Sequence, residues 1–85
     1  MKSSELFLAL AKFEINFPEC SYKNKKEVIT NVMERKEKDG NIKSAISGYI
    51  NSIKKLIDRN YNEELDEIYQ EKLKFAEYLQ EIVED

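Results

Sequence analysis

The apolar residues between Ile42 and Ile57 constrain the fold of this chain more than any other feature of its sequence. Counted from Ile42, they fall at offsets 0, 3, 4, 7, 8, 11, 14 and 15. This spacing is that of one face of an α-helix, and it does not match the alternation of a strand. Several of these residues are isoleucines, whose branched side chains lower helix propensity, so packing against other helices must stabilise this segment. We therefore expect it to be the central helix of a helical core.

Two further helices are predicted before this segment. The first runs from about residue 3 to residue 16, and Pro18 ends it because proline disfavours helical backbone in the residue before it. The second runs from about residue 25 to residue 38, because Asn24 and Glu27 have the spacing of a capping box. Both are short, so neither can cover a long neighbour along its whole length.

The central helix is predicted over residues 42–59 and a fourth helix over residues 61–83, with Asn60 as its N-cap. The apolar stripe of the fourth helix has the 3-4-3-4 spacing, with Lys72 as a polar exception. Its members are Leu65, Ile68, Phe75, Leu79 and Ile82. At about 1.5 Å per residue this helix is roughly 33 Å long. We expect one of its ends to project beyond the shorter helices or to meet a partner.

These four segments predict an all-α fold, an antiparallel up-down four-helix bundle, because short connections place sequential helices side by side in opposite directions. The 85 residues are enough for one domain, over residues 1–85, with a small core. Gly48 lies beside the central apolar stripe with Ala45 and Ser52, at helical intervals of three and four. We interpret this row of small residues as a notch for close helix packing.

The residue types that most often carry catalysis are absent or isolated. The chain has no histidine, one cysteine and no glycine-rich phosphate loop. We therefore predict that it is not an enzyme and binds no metal or cofactor. Cys20 is expected to be a free thiol near a loop in a reducing compartment. Glu63, Glu67 and Glu71 have a spacing that would suit a metal ridge, but a solvated helix face is the preferred interpretation.

No stretch of the sequence predicts export or membrane insertion. The apolar run from Leu6 to Ala11 is shorter than the core of a signal peptide and follows Glu5. No run approaches the roughly 20 apolar residues of a membrane span. We expect a soluble cytoplasmic protein with no direct membrane insertion.

The charges are distributed unevenly along the chain. Residues 1–59 carry a net charge of +4 and residues 60–85 a net charge of −7, for an overall −3. Basic and acidic residues are interspersed in the N-terminal part, whereas a nucleic-acid-binding protein presents a continuous basic surface. We therefore predict no nucleic-acid partner and expect the acidic C-terminal part to be a solvated or protein-facing surface.

The layout of the chain resembles a known family. A short apolar helix ending in "FPE" is followed by "KKEVITNVMERKEK", a break at "DGN", the helix "IKSAISGYINSIKKLI" and then "DRNYNEELDEIYQEKLK". This order is similar to that of the enterocin A and pediocin-like (class IIa) bacteriocin immunity proteins, in which the fourth helix begins with an "LxxLY" pattern. Leu65, Ile68 and Tyr69 stand at that place in this chain. The resemblance extends from about Leu6 to Leu79.

The resemblance implies self-protection of a bacterium from a pediocin-like bacteriocin. Proteins of this family are small cytosolic four-helix bundles that associate with the membrane permease of the mannose phosphotransferase system when bacteriocin occupies it. Their specificity lies in the C-terminal half. Carried over, this predicts a partner-binding surface where the third and fourth helices meet. Its residues are Lys54, Lys55, Arg59, Tyr61 and Tyr69. The acidic fourth helix departs from the often basic family and favours contact with protein over contact with lipid.

A second class of function remains open from the sequence. A small phage- or mobile-element-encoded inhibitor or antitoxin would bind one cytosolic target through the acidic fourth helix, which electrostatics would steer onto a basic surface. An exposed apolar end of the fourth helix favours a partner groove or self-association, whereas a compact bundle favours immunity. The oligomeric state and the identity of the partner do not follow from the sequence.

Overall fold

The computed structural model describes residues 1–84, and four α-helices with no strand are found among them. The helices are α1 (Ser3–Ala11), α2 (Tyr22–Asp39), α3 (Ile42–Arg59) and α4 (Glu63–Ile82). The all-helical prediction is confirmed, and α3 packs against each of the other three helices. The last residue of the predicted domain, Asp85, lies outside the described residues. None of the helices of residues 1–84 is long and apolar enough to span a membrane.

One hydrophobic cluster forms the core, and all four helices contribute to it. The predicted stripe of α3 is buried from Ile42 to Ile53, but it does not stay buried to its end. Leu56 is exposed, and Ile57 is half-buried. The fully buried side chains of largest volume are Phe75, Leu6, Leu10, Ile29, Ile46, Leu79, Val28 and Val32.

Helix α1 ends at Ala11, five residues before the end predicted from Pro18. Phe13 has a φ of 55°, its N–H donates to Leu10 O, and the next N–H donates to Ala9 O. This is the Schellman arrangement, which usually has glycine at the left-handed position. Because phenylalanine occupies it here, at some cost in backbone strain, the sequence gives no sign of this helix end.

Helix α2 begins three residues earlier than predicted, at Tyr22. Its N-cap is Ser21, whose Oγ accepts a hydrogen bond of 3.2 Å from the N–H of Asn24. The predicted cap Asn24 therefore lies inside the first turn. The helix ends as expected at Gly40, which has a φ of 70°.

The predicted N-cap of α4, Asn60, is also wrong. Asn60 terminates α3, and its side chain bonds to both backbone groups of Asn62, at 3.2 Å and 2.7 Å. Asn62 is the cap, and its Oδ1 accepts from the N–H groups of Glu64 (2.9 Å) and Leu65 (3.2 Å). The asparagine pair thus fixes the three-residue link between α3 and α4.

Gly48 does form a notch, and a side chain of α2 fills it. A Cβ added at Gly48 would lie 3.2 Å from Nη1 of Arg35. The same guanidinium donates a hydrogen bond to Ser52 Oγ, one turn further along α3. The row of small residues therefore accommodates an arginine.

We predict that Gly48→Leu destabilises the protein by about 1–3 kcal/mol, because the added side chain displaces Arg35 and breaks its bond to Ser52. Gly48→Ala is the control: its gain in helix propensity of about 0.5–1 kcal/mol offsets a small shift of the flexible guanidinium. Urea denaturation measures both. An unchanged midpoint for Gly48→Leu would contradict this packing.

Candidate functional site

The end of the molecule where α3 meets α4 contributes no buried residue to the core. We call residues 54–70 the junction: the last turns of α3, the three-residue link and the first two turns of α4. Between Ile53 and Phe75 every residue is exposed or half-buried. The junction therefore adds little to the hydrophobic stabilisation of the fold.

Large apolar side chains nevertheless collect on the junction. Leu56, Tyr61, Leu65 and Ile68 are 44%, 98%, 41% and 36% exposed, and they make up half of the exposed large apolar residues of the described chain. Apolar side chains gathered on one surface and surrounded by polar residues are typical of interaction sites. Leu65 and Ile68, which stand on the apolar stripe predicted for the fourth helix, therefore lie outside the core.

Leu65 and Ile68 are exposed because of the position along α4 at which α2 begins. The N–H of Ser21 and the side-chain amide of Asn24, at 3.3 Å, both donate to Oε1 of Glu71. One residue later on α4, Lys72 forms a salt bridge with Glu27. The first turns of α2 are thus held against the middle of α4. The first two turns of α4 lie beyond the start of α2 and have no helix above their apolar stripe.

The contacts of Glu71 with Ser21 and Asn24, together with the Lys72–Glu27 salt bridge, are electrostatic, and we call them the clamp. The hydrogen bond from the Ser21 backbone lowers the pKa of Glu71, and the bond to Lys72 lowers the pKa of Glu27. Both carboxylates therefore stay charged well below neutral pH. Glu71 is engaged at the start of α2, which gives it a role that the interpretation of its row as a solvated face did not include.

Cys20 lies beside the same carboxylate. The thiol is free and buried, and burial, together with the nearby Glu71 charge, raises its pKa to about 11. At neutral pH it is protonated, whereas reactive cysteines are thiolates. Cys20 is thus a small apolar packing residue at the clamp.

All five sequence-predicted site residues lie in the junction. Lys54, Lys55 and Arg59 are exposed on α3, and within residues 1–84 none of the three forms an ion pair. Tyr61 protrudes from the link. Tyr69 is half-buried and packs against the core, so its ring supports the surface more than it extends it.

The junction also has an acidic side, on α4. Glu63, Glu64 and Glu67 are exposed within the first two turns. The basic end of α3 therefore stands next to the acidic start of α4, with the exposed apolar side chains on the same end. The partner-binding surface expected from the sequence included the charged residues and Tyr61 of this end but not Leu56, Leu65 or Ile68. Lys72, the polar exception in the stripe, marks the level at which the core ends.

Elsewhere, an open depression of about 440 Å³ lies between α1 and the α2–α3 turn. Its one cation, Lys36, sits 4.0 Å from the centroid of the Phe7 ring and is engaged there. Among residues 1–84, no group of three or more acidic or cysteine side chains is placed to hold a metal ion. The junction is therefore the strongest candidate site.

Comparison with known proteins finds no match for this chain among family models, curated proteins or solved structures.

We predict that Glu71→Gln destabilises the protein at pH 7 and that the difference from wild type shrinks as the pH falls below about 4.5. The pKa of Glu71 is lowered by folding, so its charged form stabilises the fold above the unfolded pKa and this stabilisation is lost on protonation. Urea denaturation from pH 7 to pH 3 measures the difference. Glu67→Gln, one turn earlier and outside the clamp, is the control with little effect. A difference for Glu71→Gln that is as large at pH 3 as at pH 7 would contradict the clamp.

We also predict that replacing both Leu65 and Ile68 by glutamine changes the free energy of unfolding by less than about 1 kcal/mol, because both side chains are already partly exposed. Leu79→Ala, three positions further along the same stripe and in the core, should cost about 2–5 kcal/mol. Chemical denaturation of the two variants compares them. Equal losses would show that the junction is packed in solution.

Proposed function

We propose that this protein is a small helical inhibitor that binds one partner protein through the junction. The observation that supports it is the group of exposed apolar side chains, flanked by basic and acidic residues, on an end that contributes no fully buried residue to the core. Protein interfaces combine an apolar centre with a polar rim in this way. Binding, and no catalysis, is the activity proposed.

The proposal includes an antiparallel up-down order of the four helices. Gln80 near the end of α4 donates to Ser47 near the start of α3, at 3.4 Å. Lys2, just before α1, forms a parallel bridge with Glu84, just after α4. The first contact is the one expected when the neighbouring helices α3 and α4 run in opposite directions, and the second places the start of α1 beside the end of α4. In this order the junction and the α2–α3 turn lie at opposite ends of the bundle.

The first candidate for the inhibited process is pore formation by a pediocin-like bacteriocin. The resemblance to the immunity proteins supports it, and in that family specificity lies in the half of the chain that contains the junction. The protein would act from the cytoplasm on the complex of the permease with the bacteriocin. The exposed glutamates at the start of α4 favour contact with protein, since an anionic membrane surface repels them.

The second candidate is an inhibitor or antitoxin that binds a cytosolic target. The exposed apolar start of α4, represented by Leu65 and Ile68, favours this class, because a partner groove requires such a surface. The glutamates beside it would steer the protein to a basic target. Both candidates use the same surface and differ in the partner.

The survival of bacteriocin-sensitive cells that express the protein tests the first candidate. We predict improved survival against at least one of a panel of pediocin-like bacteriocins. The triple variant Lys54→Glu, Lys55→Glu, Arg59→Glu should lose this protection at an unchanged melting temperature, because all three side chains are exposed. Lys12→Glu, Lys26→Glu, Lys38→Glu, also exposed, makes the same change in net charge elsewhere and should keep it.

Survival that does not improve against any member of the panel would reject the first candidate. Affinity capture from the native host, with the wild type and the two triple variants side by side, then tests the second. A single target retained by the wild type and the control, but lost from the junction variant, would support it. Equal capture by all three would reject the junction as the binding surface.

A further inference from the structure

A strip on the inner side of the junction is bordered on α3 by one row of residues. Gly48, Ser52, Lys55 and Arg59 follow one another at intervals of four, three and four, so they share one side of the helix. The first two contact Arg35 of α2. This row is therefore the border of the surface that α2 covers on α3, and Lys55 and Arg59 continue it into the junction.

A second row borders the strip on α4. Glu64, Glu67 and Glu71 follow at intervals of three and four. Glu71 holds the start of α2 through the N–H of Ser21. Glu64 and Glu67 therefore continue, beyond the start of α2, the line along which α2 meets α4.

The floor of the strip between the two rows is apolar. Leu56 follows Ser52 by four residues and Ile53 by three, which places it between the basic row and the buried face of α3. Leu65 and Ile68 precede Lys72 and Phe75 by seven, so they prolong the buried stripe of α4. Alongside α2, the apolar side chains of that helix cover the floor of the strip. In the junction, no helix of residues 1–84 covers the floor.

We propose that this strip binds one amphipathic helix of the partner protein, placed end to end with α2. This inference rests on the proposed function and specifies the segment that the inhibitor recognises. The occupant has an apolar face for Leu56, Leu65 and Ile68, an acidic flank for the basic row on α3 and a basic flank for the acidic row on α4. Helices with apolar anchors at such spacing are bound in grooves of this kind.

A second copy of this chain fits the strip less well. Two copies related by a two-fold axis set the basic row of one against the acidic row of the other only when the axis runs along the helices. In that arrangement the two α2 helices, which cover the same strip further down, meet each other and hold the two junctions apart. A single helix meets no such obstacle.

Three helix-stabilised synthetic peptides with the same apolar face test the inference. One has glutamates on one flank and lysines on the other, one has glutamates on both, and one has lysines on both. We expect the wild type to bind the mixed peptide at least about tenfold more tightly than either of the others, measured by fluorescence polarisation. Exchanging the glutamate and lysine flanks of the mixed peptide would not test the inference, because a helix can bind in the strip in either direction.

Reversing the charges of the basic row on α3 gives a more discriminating test of the inference. Lys55→Glu with Arg59→Glu makes both borders acidic and should shift the preference to the lysine-flanked peptide. Lys26→Glu with Lys38→Glu makes the same change in net charge on α2 and should keep the wild-type preference. A ranking that ignores the flanks, or that shifts equally in both double variants, would overturn the inference.

Two further outcomes would also overturn it: no binding of any peptide, or sedimentation of the wild type as a dimer that Ile68→Glu dissociates, which would identify a second copy as the occupant. The survival assay separates this inference from the proposed function. If the cells are protected but no peptide binds, the bound partner helix is rejected and the proposed inhibitor function is retained. If a peptide binds but there is neither protection nor target capture, the inhibitor function is rejected and the helix-binding strip is retained.

Discussion

The attachment of the start of α2 to the middle of α4 determines what the rest of the molecule can do. Glu71 accepts hydrogen bonds from the first residues of α2, and Lys72 pairs with Glu27. From this attachment towards the α2–α3 turn, α2 covers the apolar stripes of α3 and α4, which form the core there. From the attachment towards the link between α3 and α4, the same stripes continue without a covering helix. This small group of polar contacts thus sets both the extent of the core and the position of the open strip.

Stability and recognition are consequently placed in different parts of one helix pair. The buried part of α3 ends at Ile53 and that of α4 begins at Phe75, so substitution of the exposed residues between them removes little buried apolar area. The junction is shaped by the asparagine pair in its link and by the half-buried Ile57 and Tyr69. A surface held in this way can vary in side-chain chemistry at little cost to the fold.

The helical class and the central place of α3 were predictable from the sequence, because an apolar period of 3.6 residues is a local property. The helix ends were less so. Phe13 takes a left-handed conformation that glycine usually takes, and Ser21 and Asn62 act as caps where neighbouring asparagines have equally good spacing. The exposure of Leu65 is a tertiary property: its position in the stripe is that of a core residue, and only the start of α2 leaves it uncovered. The exposure of the charged residues of the junction was predictable from the sequence, because solvated charges need no tertiary context.

Site-specific photocrosslinking in bacteriocin-treated sensitive cells tests the central claim, that the junction is the surface that meets the partner. A photoreactive residue at Leu65 on the junction is compared with one at Leu8 on α1, since both side chains are exposed. The account predicts crosslinks to one defined protein from position 65, with none from position 8. Crosslinks of equal yield from both positions, or from position 8 alone, would contradict it.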